Sequence, residues 1–105
     1  MWIVLLTTDA AAELAGLPAD QRARFNRIRE LIEESGLEAV RFPLVRHIEG
    51  PLWEIRLQGR DGISRALYVT RTGQRVIVVR VFVKKTEETP RREIALALKR
   101  SKEIT

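Results

Sequence analysis

Three strand-like runs follow one another between Leu52 and Lys85, separated by two glycine-bearing turns. This arrangement constrains the fold more than any other feature. From Leu52 to Gln58, Trp53, Ile55 and Leu57 point one way, while Glu54, Arg56 and Gln58 point the other. Gly59-Arg60-Asp61-Gly62 reads as a hairpin loop. Ile63 to Thr70 is the next strand, and Thr72-Gly73 marks the next turn. Arg75 to Lys85 is the longest strand. Strict alternation places Ile77, Val79, Val81 and Val83 on an apolar face, and Val76, Val78, Arg80, Phe82 and Lys84 on a mixed one. A strand of this kind lies centrally in a sheet, with helices behind and a groove in front.

The flanks supply the helices. Trp2 to Thr7 is apolar and β-branched enough for a short strand expected along one edge of the meander. Asp9 is a fair N-cap for a helix through Ala15, which Gly16 ends. Pro18 opens a second helix with a stripe of Phe25, Ile28, Leu31 and Ile32, closed by Gly36. Pro43 forbids one long helix over Leu37 to Gly50, leaving a short helical turn and a loop. Thr89-Pro90 starts the last helix, packed through Ile94, Ala97 and Leu98. The expected order is β-α-α-β-β-β-α. This is an α+β domain spanning 1–105, with an antiparallel sheet and helices packed on one face.

Charge and residue types narrow the function. The net charge is +5, with residues 1–50 at −2, 51–74 at +2 and 75–105 at +5. A basic excess confined to the last third favours a polyanionic partner, nucleic acid first, although solubility alone accounts for such charge too. Cysteine is absent, which removes disulfides and thiolate metal sites and favours a cytoplasmic setting. No signal peptide or membrane-spanning run is visible. One histidine, His47, gives a triad or a histidine-rich metal site nothing to build on. No GxGxxG or GxxxxGK[ST] motif exists, so no nucleotide cofactor is expected, and no metal.

What remains is a basic and aromatic constellation of Arg56, Arg60, Arg65, Tyr68, Arg80, Lys84 and Lys85 on the three strands or their loops. Guanidinium and ammonium groups bind phosphate and stabilise a developing phosphorane. RNA carries its own nucleophile, the 2′-hydroxyl, so cleavage by that route needs base removal, charge stabilisation and leaving-group protonation, but no metal. The same residues also suit a plain surface role, as charges on strand edges that oppose aggregation.

The segments "LWEIRLQGRDGISRALYV" and "RVIVVRVFVKKTEETPRREIALALKR" resemble the RelE/ParE toxin superfamily, and its HigB-like branch in particular. Trp53, Glu54, Arg56, Arg65, Tyr68, Phe82, Lys84, Lys85, Thr86, Thr89, Pro90, Glu93, Ile94 and Ala97 carry the match. The resemblance implies a small-RNase-like fold and the toxin of a type II toxin–antitoxin system. It implies a metal-independent endoribonuclease that cuts mRNA in the ribosomal A site. The implied partner is a helix-turn-helix antitoxin.

Carried over by position, Arg65 matches the phosphate-binding arginine, Lys84 and Lys85 the basic pair at the strand end, and Arg56 a basic position on the first meander strand. Arg65, Lys84, Lys85 and Tyr68 are the expected catalytic set. Arg56, Arg60, Arg80, Phe82, Arg91 and Arg92 are the expected RNA contacts. Relatives with a tyrosine or histidine near the last helix differ from this chain, which has Thr89, Pro90 and Arg91 there. Glu54 stands where some relatives have lysine. Lys84 or Lys85 is therefore the expected base, with Tyr68 or His47 in reserve. Alternative readings are a gyrase poison of the ParE kind and a non-catalytic binding module.

Overall fold

A computed structural model describes residues 1–104. Its elements are β1 (Ile3–Leu6), α1 (Thr8–Ala15), α2 (Ala19–Ser35), a single 3-10 turn at Leu37–Ala39, β2 (Val45–Glu49), β3 (Leu52–Gly59), β4 (Gly62–Arg71), β5 (Arg75–Lys84) and α3 (Arg91–Lys102). The α+β expectation holds, and so do the two upstream helices and the three-strand meander.

Three details differ. First, Val45–Glu49, expected as loop, is a fifth strand antiparallel to β3. Its short alternation is interrupted by a register shift between His47 and Glu49. Second, the sheet is mixed. Its order is β1-β5-β4-β3-β2, and β1 runs parallel to β5 while every other pair is antiparallel. Third, the helices cover both faces. Phe25, Ile28 and Ile32 of α2 and Ala10 of α1 pack with Ile55, Leu57, Ala66, Tyr68, Val76 and Val78. On the opposite face, Ile94 and Ala97 of α3 pack with Leu52, Leu67, Val69, Ile77 and Val79. A sheet whose central strands are apolar on both sides must be covered on both sides. Each Val, Leu or Ile so buried contributes about 1.5–3 kcal/mol.

A bulge shapes the second half of β5. Leu67 pairs with Arg80 and Tyr68 with Val78, so Val79 has no opposite residue. The extra residue shifts the alternation. Val81 therefore joins the α2 layer, away from Ile77 and Val79, with which strict alternation had grouped it. Phe82 packs under α3.

Helix starts also differ. Thr7, not Asp9, caps α1, its hydroxyl accepting from the Ala10 N–H at 3.1 Å. Thr89 does not cap α3; Pro90 occupies the cap position, and the Thr89 hydroxyl reaches a carboxylate of the sheet. That contact places the start of α3 beside the site.

Candidate active site

Even-numbered residues of β3 and odd-numbered residues of β4 share the α3 face. Beyond the first turn of α3 this face is open. There lies a cleft of about 310 Å³ lined by Arg56, Ile63, Arg65, Lys84, Lys85 and Thr86, among others.

Against Arg65, one of these lining residues, sits Glu54, 1% exposed. Its carboxylate lies 2.7 Å from Nε of Arg46, which donates to it, and accepts from the Thr89 hydroxyl at 2.8 Å. Nε of Arg65 lies 3.1 Å away, without the alignment of a hydrogen bond. A carboxylate taken out of water needs such partners. Glu54 thus serves as an anchor that holds Arg46, Arg65 and the start of α3 in place.

Arg56 and Arg65 are opposite partners in the β3–β4 ladder. The Nε atoms of both are buried and, among the described residues, lack hydrogen-bond partners. Arg65 is itself buried, and this holds its proton affinity below the ordinary guanidinium value, with Glu54 opposing and Arg56 adding to the effect. Lys84, half-buried beside them, has its pKa lowered first by burial and then by the charge of Arg65. Lys85 is exposed at the rim. The cleft therefore combines two guanidinium groups with spare donor capacity and an amine that gives up its proton more readily than usual. Such a set binds a phosphodiester and can accept a proton.

Arg56, Arg65, Lys84 and Lys85 are brought together; other expected site residues are not. Tyr68 is 1% exposed and lies in the α2-side core, on the other face of the sheet. Burial pushes its pKa up to about 12. It forms no part of the cleft. His47 also points away, its ring edge-on to Trp53 at 5.1 Å.

Arg80 lies on the expected face but is already engaged. It donates to Glu93 at 2.7 Å and to Glu13 at 2.6 Å. Glu13 also accepts from Arg100 and from the Val81 N–H, and Arg100 donates to the Val79 carbonyl. This network closes the edge of β5 beyond the last residue of β1. Phe82 is buried under α3, with the Arg80 guanidinium 5.8 Å from its ring centre. Arg80 and Phe82 therefore tie α1 and α3 to the sheet and leave nothing free for RNA. Arg91 is paired with Glu49 on the surface, Arg92 is exposed beside it, and Arg60 is exposed in the β3–β4 turn, outside the cleft.

Arg46 and the anchoring role of Glu54 and Thr89 were missed by sequence reasoning. The alternation of Val45, Arg46 and His47 is the signal that could have placed Arg46 opposite Glu54. Pro43 masked it by marking the region as loop.

The sequence itself falls in a family. Residues 12–102 match the family described as phage derived protein Gp49-like, and the chain belongs to it. No curated protein sequence matches the chain. Solved structures share its fold. The RelBE2 toxin–antitoxin complex of Mycobacterium tuberculosis aligns with a TM-score of 0.56 at 20% identity, over 79% of this chain and 98% of that one. The archaeal RelE–RelB complex of Pyrococcus horikoshii gives 0.57 at 20%, over 78% and 93%. The isolated E. coli RelE toxin gives 0.56 at 18%, over 96% and 99%. The fold is that of RelE, and the resemblance to the RelE/ParE superfamily is borne out; the HigB-like branch rests on the sequence motifs alone.

Proposed function

We propose that this chain is the toxin of a type II toxin–antitoxin pair and that it cleaves mRNA on the ribosome. The observation that carries the reading is the pair of opposed arginines, Arg56 and Arg65, which line the cleft beside Lys84 and Lys85. Like charges set directly opposite cost stability in a sheet. An anion bound between them offsets that cost, and an RNA phosphate is such an anion. Solved structures of the same fold are toxin–antitoxin complexes, which supports a cognate antitoxin, in this reading a helix-turn-helix protein.

The chemistry follows from the cleft. Arg56 and Arg65 hold the scissile phosphate and stabilise the charge that builds on its oxygens. Lys84 takes the proton from the neighbouring 2′-hydroxyl. The 2′-oxygen attacks phosphorus, the bond to the 5′-oxygen breaks, and a 2′,3′-cyclic phosphate forms. The leaving 5′-oxygen takes a proton from Lys85 at the rim. No metal is required for these steps, since the nucleophile belongs to the RNA. Of the two nearby carboxylates, Glu54 is already engaged by arginines and Thr89, and Glu87 lines the exposed rim of the cleft.

Primer extension on one mRNA, with and without translating ribosomes, tests the reading. In-frame cuts with ribosomes only are expected. No cut under either condition, together with inhibition of DNA supercoiling, would replace it with the gyrase-poison reading.

A further inference from the structure

Arg56 lines two openings. On the side away from the cleft it borders a hollow of about 220 Å³ with Arg24, Pro43, Leu44 and Gln58. Arg24 and Gln58 also line a third hollow, of about 570 Å³, together with Arg27, Gly59 and Arg60. Shared residues thus join the three depressions into one groove. It runs from Lys84 and Arg65, past Arg56, to the first half of α2.

The floor of this groove is an unfinished sheet edge. β2 pairs with β3 only as far as Ile55, and the Arg56 N–H donates to the Leu44 carbonyl at 2.8 Å. Two residues on, Gln58 faces the same edge, beyond the end of β2. The walls carry the guanidinium groups of Arg24, Arg27, Arg56 and Arg60. Among the described residues, the side chains of Arg24, Arg56 and Arg60 form no ion pair, and Arg27 holds only a solvent-exposed contact of 3.5 Å with Glu30. Among the described residues two acidic side chains line the joined depressions: Asp20, its carboxylate turned to the Arg60 backbone N–H, and Glu87, exposed at the Lys84 end.

We propose that this groove carries the single-stranded RNA on one side of the scissile phosphate, around the open edge of β3 and onto α2. The inference rests on the RNA-cleaving reading of the cleft and extends it. Arg56 is the join, because it faces both the cleft and the groove. A chain of cations along an exposed strand edge, paired only at Arg27 and there through a solvent-exposed contact, matches the repeating charge of an extended backbone. A folded acidic protein surface would have to reach the narrow hollow beside Arg56 as well.

The test uses binding alone, so that it stands apart from catalysis. Fluorescence anisotropy with 2′-O-methyl RNA, which cannot be cut, is measured for 4-mers and 12-mers over a salt series. The full chain is compared with the triple variant Arg24→Gln, Arg27→Gln, Arg60→Gln. These exposed side chains leave the core intact, and a second variant, Gln58→Glu, places a negative charge at mid-groove. The 12-mer is expected to bind the native chain more tightly than the 4-mer, and both variants to lose most of that advantage. Three lost phosphate contacts should lower the salt slope by about 2. Unchanged 12-mer binding in both variants would overturn the groove. So would a twelve-residue glutamate peptide that competes as well as RNA and loses affinity equally in the variants. If cleavage is absent but the length advantage still depends on these arginines, the groove stands and the catalytic reading fails.

Discussion

Arg56 on β3 and Arg65 on β4 face each other in register across the sheet, two like charges at a position where a hairpin normally sets a favourable pair. The two are not equivalent. Arg65 is buried and lies 3.1 Å from Glu54, whereas Arg56 has no ion-pair partner among the described residues. This asymmetry separates catalysis from stability. Arg56→Ala should lower the cleavage rate by about 100-fold, the usual effect of removing a charge-stabilising group. Its melting temperature should match or exceed that of the native chain. Rates and thermal unfolding measured on one preparation check both halves.

Glu54 carries the opposite balance. Its carboxylate compensates Arg65 and Arg46 and accepts from Thr89. Glu54→Gln leaves Arg65 uncompensated at a buried position, which costs about 3–5 kcal/mol, while Arg46, partly exposed, loses little. Thr89→Val loses one hydrogen bond and should cost about 1 kcal/mol. Urea unfolding of both variants is the check, and the expected order is native, Thr89→Val, then Glu54→Gln.

In the proposed mechanism Lys84 sets the pH dependence. Its pKa is lowered first by burial and then by Arg65. A general base works in its unprotonated form, so activity should rise with pH and level off below the ordinary lysine range. Arg65→Ala removes a positive neighbour, which raises the Lys84 pKa and moves the rising limb to higher pH. If Lys84 acted only as a cation, the rate would fall as pH rises through its pKa. A pH–rate profile of the native chain and the residual activity of Arg65→Ala tell the two apart.

Tyr68 and His47 should be dispensable for chemistry. Tyr68→Phe keeps the buried ring and removes a hydroxyl on the far side of the sheet from Arg65. His47→Ala removes a surface ring that packs on Trp53. Cleavage within about twofold of the native rate is expected for both, since surface or isosteric changes away from a site have small effects.

Arg80 belongs to stability. Arg80→Gln should leave the affinity for non-cleavable RNA unchanged while destabilising the chain, because Glu13 and Glu93 lose a shared cation. Anisotropy and urea unfolding of the same variant give the comparison.

The meander was legible because alternation and glycine turns are local signals. Trp53, Ile55 and Leu57 lie on the expected common face. The β5 bulge was not, because nothing between Val76 and Val83 marks which valine lacks a partner. It is decided by pairing with β4. The cleft was legible as a charge pattern in Arg56, Arg65, Lys84 and Lys85. Which arginines were free was not, since Glu13 lies 67 residues from Arg80 in sequence and meets it only after α1 folds onto β5. Tyr68 was misplaced for a simpler reason. It lies three positions from Arg65, and in a strand an odd separation puts two side chains on opposite faces.

The most direct test replaces one atom of the substrate. An mRNA with a single 2′-deoxy nucleotide at the cut position is incubated with programmed ribosomes and the purified chain. Attack by the 2′-oxygen predicts no cleavage at that nucleotide, and 2′,3′-cyclic phosphate ends on the unmodified control. Cleavage of the deoxy substrate at the control rate would contradict the account, because the nucleophile would then come from elsewhere.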